Sequence, residues 1–175
     1  MSSTELCLPW HQEQWDLFTS YIKQNRVNHA LLISGQHGLG KQLLSTQFAQ
    51  SLLCSDQNES GFHCGRCHSC KLFAAKSHPD FFLIQPEEPG KDISIGQIRE
   101  LIAKMALKPQ YEANRVVVVN PADKINNAAA NGFLKGLEEP TERTILILVT
   151  DRPAVLPVTI RSRCQTMKIH CPSQH

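Results

Sequence analysis

The stretch that decides the fold reads Leu31-Leu32-Ile33-Ser34-Gly35-Gln36-His37-Gly38-Leu39-Gly40-Lys41-Gln42. An apolar strand pattern runs into a glycine-rich turn and then into a helical pattern, which is the context of a phosphate-binding loop of the form G-x-x-x-x-G-K. In such a loop Gly35, Gly38 and Gly40 let the backbone N–H groups approach phosphates, Lys41 reaches the terminal ones, and a following hydroxyl ligates Mg²⁺. Gln42 stands where that hydroxyl belongs, so the sequence predicts a degenerate nucleotide site with weak metal binding.

Strand and helix patterns alternate along the rest of the chain. The predicted strands are 30–33, 80–84, 116–119, 144–149 and 164–169, and the predicted helices are 11–25, 43–53, 94–109 and 126–137. The valine run 116–119 suits a strand covered on both faces at the centre of the sheet, segment 80–84 is predicted as a second buried strand, and the alternating segment 164–169 as an edge strand. Ser94 and Gln97 have the spacing of a capping box. The alternation predicts an α/β fold, a parallel sheet flanked by helices, with ligands at the carboxyl ends of the strands.

Size and charge limit the classes of function. The chain has 175 residues, of which 41% are hydrophobic and 19% charged, and this predicts one domain over residues 1–175. No apolar stretch approaches the roughly 20 residues of a membrane span, and Met1 to Glu5 lack the layout of a secretory signal, so we expect a cytoplasmic protein without a membrane partner. A net charge of +2 is too small to predict direct binding of nucleic acid through charge alone.

Four cysteines form the second informative pattern. Cys64, Cys67 and Cys70 follow one another at C-x2-C spacing, and Cys54 lies upstream. Four thiolates would hold a tetrahedral zinc ion and leave no position for water, so we predict a structural zinc module at about residues 54–70. An iron–sulfur cluster and a set of unligated buried or redox-active thiols are the alternatives.

The order of the motifs carries a family resemblance. The phosphate loop, the cysteine cluster, the segment Leu137-Glu138-Glu139-Pro140 and the segment Ile160-Arg161-Ser162-Arg163-Cys164 follow one another. In this order they resemble bacterial DNA polymerase III clamp-loader subunits of the AAA+ superfamily. The resemblance implies an AAA+ P-loop-type fold. It also implies partners, namely motor (gamma/tau) and delta subunits, with the sliding clamp and primer-template DNA reached through the complex. The family's helical lid and collar domains would follow this region and are absent from this chain.

Two kinds of subunit share this pattern, the ATP-hydrolysing motor and the delta-prime subunit, which in known cases does not hydrolyse ATP. In the motor the central strand ends in Asp-Glu, whereas here Asn120 and Pro121 follow the strand. The resemblance therefore favours a non-catalytic delta-prime subunit, with Asn120 and Thr150, at the family's sensor position, as remnants of the nucleotide site. The retained Lys41 leaves ATP binding open. The alternative is an active or nucleotide-sensing zinc-containing ATPase of the motor type.

Arg163 is the residue to which the resemblance assigns catalytic work. In the family, the Ser-Arg-Cys motif supplies an arginine finger to ATP bound on the neighbouring subunit. A guanidinium is permanently charged and suits the charge that develops in phosphoryl transfer. The alternative is an ordinary surface arginine before a strand.

Overall fold

A computed structural model describes residues 7–111, 114–138 and 143–172 and shows a parallel five-stranded sheet between two layers of helices. The strands are β1 (Ala30–Ser34), β2 (Phe81–Ile84), β3 (Arg115–Val119), β4 (Thr144–Thr150) and β5 (Gln165–Lys168). The helices are α1 (Gln12–Lys23), α2 (Lys41–Leu53), α3 (His68–Ala74), α4 (Ile95–Met105), α5 (Asn127–Glu138) and α6 (Val158–Arg161). The strand order is β2-β3-β4-β1-β5, and every neighbouring pair is parallel.

Each face of the sheet has its own apolar core. On one face, alternate residues of β1 such as Leu31 and Ile33 pack with α1 and α2, where Trp15, Phe18 and Phe48 are buried. On the other face, a second cluster from β1, β3 and β4 packs with α4, α5 and α6. The inner strands are buried on both sides, as the apolar runs of β1, β3 and β4 predict.

The predicted α/β class and parallel sheet are confirmed, while two strand positions differ from expectation. The middle position belongs to β4, and β3 lies beside it, between β4 and β2. Segment 80–84 is not a buried strand: β2 is a sheet edge and Leu83 is 43% exposed. Both facts depend on strand order, which a local apolar run does not encode. β5 occupies the opposite edge, as its alternation predicts.

Local signals located α1, α2, α4 and α5 with small errors, whereas α3 and α6 were not predicted. The capping box is present, because the Ser94 hydroxyl accepts from the Gln97 N–H and the Gln97 side chain accepts from the Ser94 N–H. Helix α2 begins at Lys41 rather than at residue 43, directly after the loop. Glu139 and Pro140 of the quoted motif, and residues 1–6 and 173–175, lie outside the described residues. Among the described residues, no helix has the length and apolar character needed to span a membrane.

Candidate nucleotide site and metal centre

The phosphate loop connects β1 to α2, and residues of the segment before α1 bind it through hydrogen bonds. The carbonyl of Leu39 accepts hydrogen bonds from Trp10 Nε1 at 3.0 Å and from His11 Nε2 at 2.7 Å. Gly40 caps α2 with a φ of +73°, and a Cβ there would lie 2.6 Å from Leu8 Cδ1. A side chain at this position would be strained by the left-handed backbone and would require the Leu8 side chain to shift, which favours glycine. The loop shape that the glycines predict is therefore present and supported.

Lys41 does not point into solvent. Its side chain is 5% exposed, and its ammonium lies 2.6 Å from Asp151 Oδ1 and 2.5 Å from the carbonyl of Gln36. The second carboxylate oxygen of Asp151 lies 3.0 Å from His37 Nδ1, so this carboxylate contacts both the start and the end of the loop. Burial works to raise the pKa of Asp151, but the hydrogen bonds and charges of Lys41 and His37 outweigh it and hold that pKa below its usual value. Asp151 is therefore a carboxylate at neutral pH.

The two neighbouring strands end on the same edge of the sheet as the loop. Thr150 closes β4, which pairs with β1, and Asn120 follows β3, which pairs with β4. The Thr150 hydroxyl donates to Asp123 Oδ1 at 2.7 Å, and Arg152 Nη2 donates to Asp123 Oδ2 at 3.0 Å. The Asp123 side chain is only 6% exposed. The structure thus gathers the predicted nucleotide residues at one edge, but the hydroxyl of Thr150 and the carboxylate of Asp123 are bound to each other.

Gln42 adds no ligand of the expected kind to this site. It is exposed in the first turn of α2, and its carbonyl accepts from the hydroxyls of Ser45 and Thr46. It also borders a separate cleft of about 630 Å³ between α2, α3 and β2, away from Asp151. The first turn of α2 therefore offers backbone N–H groups to an anion but no hydroxyl at this position.

The four predicted metal ligands come together in one cluster. The sulfurs of Cys54, Cys64, Cys67 and Cys70 all lie within 4.8 Å of one another, and the pairs Cys54–Cys67 and Cys64–Cys70 are each 4.0 Å apart. A tetrahedral ion about 2.3 Å from each sulfur requires sulfurs about 3.8 Å apart, so the arrangement fits a single ion. The four cysteines are therefore able to hold a metal ion such as zinc.

Backbone N–H groups donate hydrogen bonds to the sulfurs of this cluster and oppose the effect of burial. The N–H groups of Cys64 and Asp56 point at Cys54 Sγ, and that of Cys70 points at Cys67 Sγ at 3.4 Å. Burial works to raise the pKa of Cys67, yet hydrogen bonds from Cys70 and Ser55 lower it to about 6. Burial raises the pKa of Cys54 and of Cys70. A bound cation would stabilise all four as thiolates.

The cysteine module is tied to the core by aromatic packing. Phe62, in the loop between Cys54 and Cys64, is buried and stacks on Trp15 with ring centroids 4.1 Å apart. The indole N–H of Trp15 donates to the carbonyl of Ser60, and the Ser51 hydroxyl donates to the carbonyl of Gly61. The conformation of this loop therefore affects the packing of α1 and α2.

Arg163 lies far from the phosphate loop of its own chain. It precedes β5 and so lies at the amino-terminal ends of the parallel strands, whereas the loop follows β1 and lies at their carboxyl-terminal ends. Arg163 Nη2 lies 2.7 Å from Glu138 Oε1, and Nη1 donates to the carbonyl of Thr159 at 2.8 Å. The side chain is 35% exposed. The structure therefore places Arg163 apart from the phosphate loop and the other predicted nucleotide residues of its own chain.

Two acidic residues of the site were missed by sequence reasoning. Asp151 follows Thr150 at the end of β4, and Asp123 follows β3 after a short turn. Their position after parallel strands was the available signal, because ligands of open α/β sheets gather there. Asp123 accepts hydrogen bonds from Thr150 and Arg152. Helix α3, whose N-cap is Cys67, was also missed; it begins inside the cysteine module and continues beyond it to Ala74.

The sheet order and the loop define a class of fold, the AAA+ P-loop-type parallel sheet flanked by helices. A solved gamma subunit-related protein of DNA polymerase III from Thermotoga maritima has the same fold, with a TM-score of 0.60 at 21% identity over 89% of this chain and 46% of that one. The RuvB Holliday junction branch migration motor of the same organism matches with a TM-score of 0.52 at 14% identity, over 97% of this chain and 45% of that one. At these identities the likeness shows the fold alone.

Sequence comparison gives the particular family. The family model described as "DNA polymerase III, delta subunit" matches residues 10–173, and the chain belongs to this family. DNA polymerase III subunit delta' of Pseudomonas aeruginosa is 39% identical over 89% of this chain and 46% of its own length. The subunit delta' of Haemophilus influenzae is 37% identical over 95% of this chain and 50% of its own length. That of Escherichia coli is 34% identical over 90% of this chain and 47% of its own length. The chain thus spans about half the length of the relatives it matches, and its resemblance to clamp-loader subunits is confirmed.

Proposed function

We propose that this chain belongs to a clamp-loader subunit that does not hydrolyse ATP and that acts on ATP held by a neighbouring motor subunit. The observation that carries the proposal is that Arg163 and the phosphate loop of the same chain lie at opposite ends of the parallel strands. Strands of four to seven residues separate the two edges by roughly 13–23 Å at about 3.3 Å per residue. Arg163 therefore acts in trans if it acts on a nucleotide.

The chain's own site supports the first half of the proposal. Asn120 and Pro121 stand where a metal-supporting carboxylate and a general base are needed, and the nearby Asp123 is occupied by Thr150 and Arg152. Loss of a general base alone costs about 10²- to 10⁴-fold in rate, and weak Mg²⁺ binding adds to that loss. Hydrolysis at this loop is negligible.

The surroundings of Arg163 support the second half. Its guanidinium is partly exposed and is held by Glu138 and by the carbonyl of Thr159, which leaves further N–H donors for a phosphate. An arginine finger in other systems contributes about 10³- to 10⁵-fold at the site it serves. The receiving sites are those of motor subunits of the gamma/tau type, in a complex with a delta subunit. The sliding clamp and primer-template DNA are reached through that complex in the cytoplasm.

The cysteine module holds zinc in this proposal. Its sulfur spacing fits one tetrahedral ion rather than a cluster of several irons, and four sulfur ligands leave no open position for substrate. When bound, the ion supplies structural cross-linking and no step of catalysis. The residues that hold it are Cys54, Cys64, Cys67 and Cys70.

Reconstitution of the complex tests the trans role of Arg163. In a complex that contains the full-length subunit, Arg163→Ala should lower clamp- and DNA-stimulated ATP turnover at least tenfold, because the finger is lost at the neighbouring site. Arg99→Ala is the matched control, since Arg99 is an exposed arginine on a different element, α4. Unchanged turnover with Arg163→Ala would exclude the trans role. Mg²⁺-dependent hydrolysis by the chain alone would instead favour an active ATPase of the motor type.

A further inference from the structure

An internal carboxylate lies against the phosphate loop at the lysine that would meet a terminal phosphate. Asp151 comes from the end of β4, and its two oxygens reach Lys41 at 2.6 Å and His37 at 3.0 Å. The geometry points to Asp151 as a built-in counter-ion that takes the place of a terminal phosphate and keeps polyphosphate anions out of the loop. The inference rests on the loop being a degenerate nucleotide site, as proposed above.

The ion pair between Lys41 and Asp151 differs from a surface ion pair because the lysine side chain is buried. The Lys41 side chain is 5% exposed, and a buried ammonium requires a partner because it has lost its hydration. Asp151 supplies the compensating charge, and the carbonyl of Gln36 accepts another hydrogen bond from the same ammonium. An incoming phosphate must therefore displace Asp151 from Lys41 and then remain beside a like charge.

The adjoining helix end would otherwise favour an anion. Helix α2 has 13 residues, its N-cap is Gly40, no side chain caps it, and no acidic residue lies in its first turn. Its first N–H groups and positive dipole end therefore attract negative charge. Asp151 is the acidic side chain that the structure places against Lys41 at this helix start. The start of α2 and Lys41 thus still attract an anion, and the carboxylate of Asp151 is the anion that they bind.

Inorganic tripolyphosphate is the probe that tests this inference. Isothermal titration of the protein should show that Asp151→Asn binds tripolyphosphate about 10- to 100-fold more tightly than the wild type does. The factor is limited because Asp151 is 41% exposed and water screens the pair. The double variant Lys41→Ala/Asp151→Asn should lose this gain. Glu88→Gln is the matched control, because it removes one carboxylate from an exposed lysine pair and leaves the loop unchanged.

The outcomes separate this inference from its alternatives. Affinities of wild type and Asp151→Asn within twofold of each other would overturn it. A gain that persists without Lys41, or that also appears in Glu88→Gln, would overturn it as well, since it would reflect net charge alone. If Asp151→Asn does not fold, as judged by circular dichroism, Asp151→Ser provides a second test.

The wild-type protein gives an independent measurement that needs no variant to fold. Nitrogen-15 NMR of lysine side chains should show one ammonium protected from solvent exchange without added anion, and exchange as fast as that of surface lysines would overturn the pairing. None of these measurements involves Arg163 or the complex. Failure of the counter-ion is therefore distinguishable from failure of the clamp-loader role.

Discussion

Cys67→Ser is expected to unfold the cysteine module while leaving the cap of α3 in place. Cys67 is the N-cap of α3, and its sulfur accepts from the Cys70 N–H. Serine is among the preferred N-cap residues, so its hydroxyl can take over this hydrogen bond. Serine is a much poorer ligand for zinc than a thiolate. The substitution therefore isolates the contribution of the metal site.

The size of the effect follows from what the module holds in place. Without the metal, the loop that carries Phe62 loses its constraint, and the buried Phe62 ring, its stack on Trp15 and the hydrogen bond from Ser51 to Gly61 are all weakened. Burial of the ring is worth about 2 kcal/mol, the stack about 1 kcal/mol and the hydrogen bond about 1 kcal/mol. Partial loss of these contacts predicts a cost of about 3 kcal/mol. For a domain of this size we expect Tm to fall by about 10 °C.

Thermal unfolding followed by circular dichroism, together with metal analysis, measures this prediction. The wild type should carry one zinc per chain and Cys67→Ser much less, and tryptophan fluorescence should report the altered surroundings of Trp15. Cys171→Ser is the matched control, because Cys171 is exposed and lies outside the cluster. A Cys67→Ser protein with the Tm of the control would refute the reasoning. Iron and a brown colour in the wild type would show a cluster of the other kind.

Three further results are expected. Gly40→Ala should cost about 1–3 kcal/mol in the free energy of unfolding, because its φ is +73° and a Cβ would lie 2.6 Å from Leu8 Cδ1. Gly136→Ala, in an open part of α5, should instead stabilise by roughly 0.5–1 kcal/mol, and urea titration distinguishes the two. Ser94→Ala removes the capping box and should lower the free energy of unfolding by about 1 kcal/mol, with equal stability of variant and wild type as the contrary result. Burial lowers the pKa of His11 in the folded protein. Below about pH 6.5 the unfolded chain therefore binds more protons than the folded chain, and the free energy of unfolding should fall as the pH is lowered. A His11→Gln variant should lose this part of the pH dependence.

Local patterns were sufficient for most elements of this fold. The valine run of β3, the glycine-rich loop after β1 and the capping box of α4 are each encoded within a few consecutive residues. Strand order is encoded by contacts between distant segments, which is why β4 rather than β3 proved central and β2 proved to be an edge. Helix α3 was missed because it is only seven residues long and has as its N-cap Cys67, a cysteine of the cluster, and so carries little amphipathic pattern.

The sequence by itself determined the α/β class, the phosphate loop without its hydroxyl and the set of four cysteines, because glycine conformation, side-chain chemistry and short spacings are local properties. The tertiary structure decided which charges meet. Lys41 and Asp151 are 110 positions apart in the chain and become an ion pair because β1 and β4 are parallel neighbours. The same parallel arrangement sends Arg163 to the opposite edge of the sheet. Charge pairing depends on distance in space, and only the folded sheet fixes that distance.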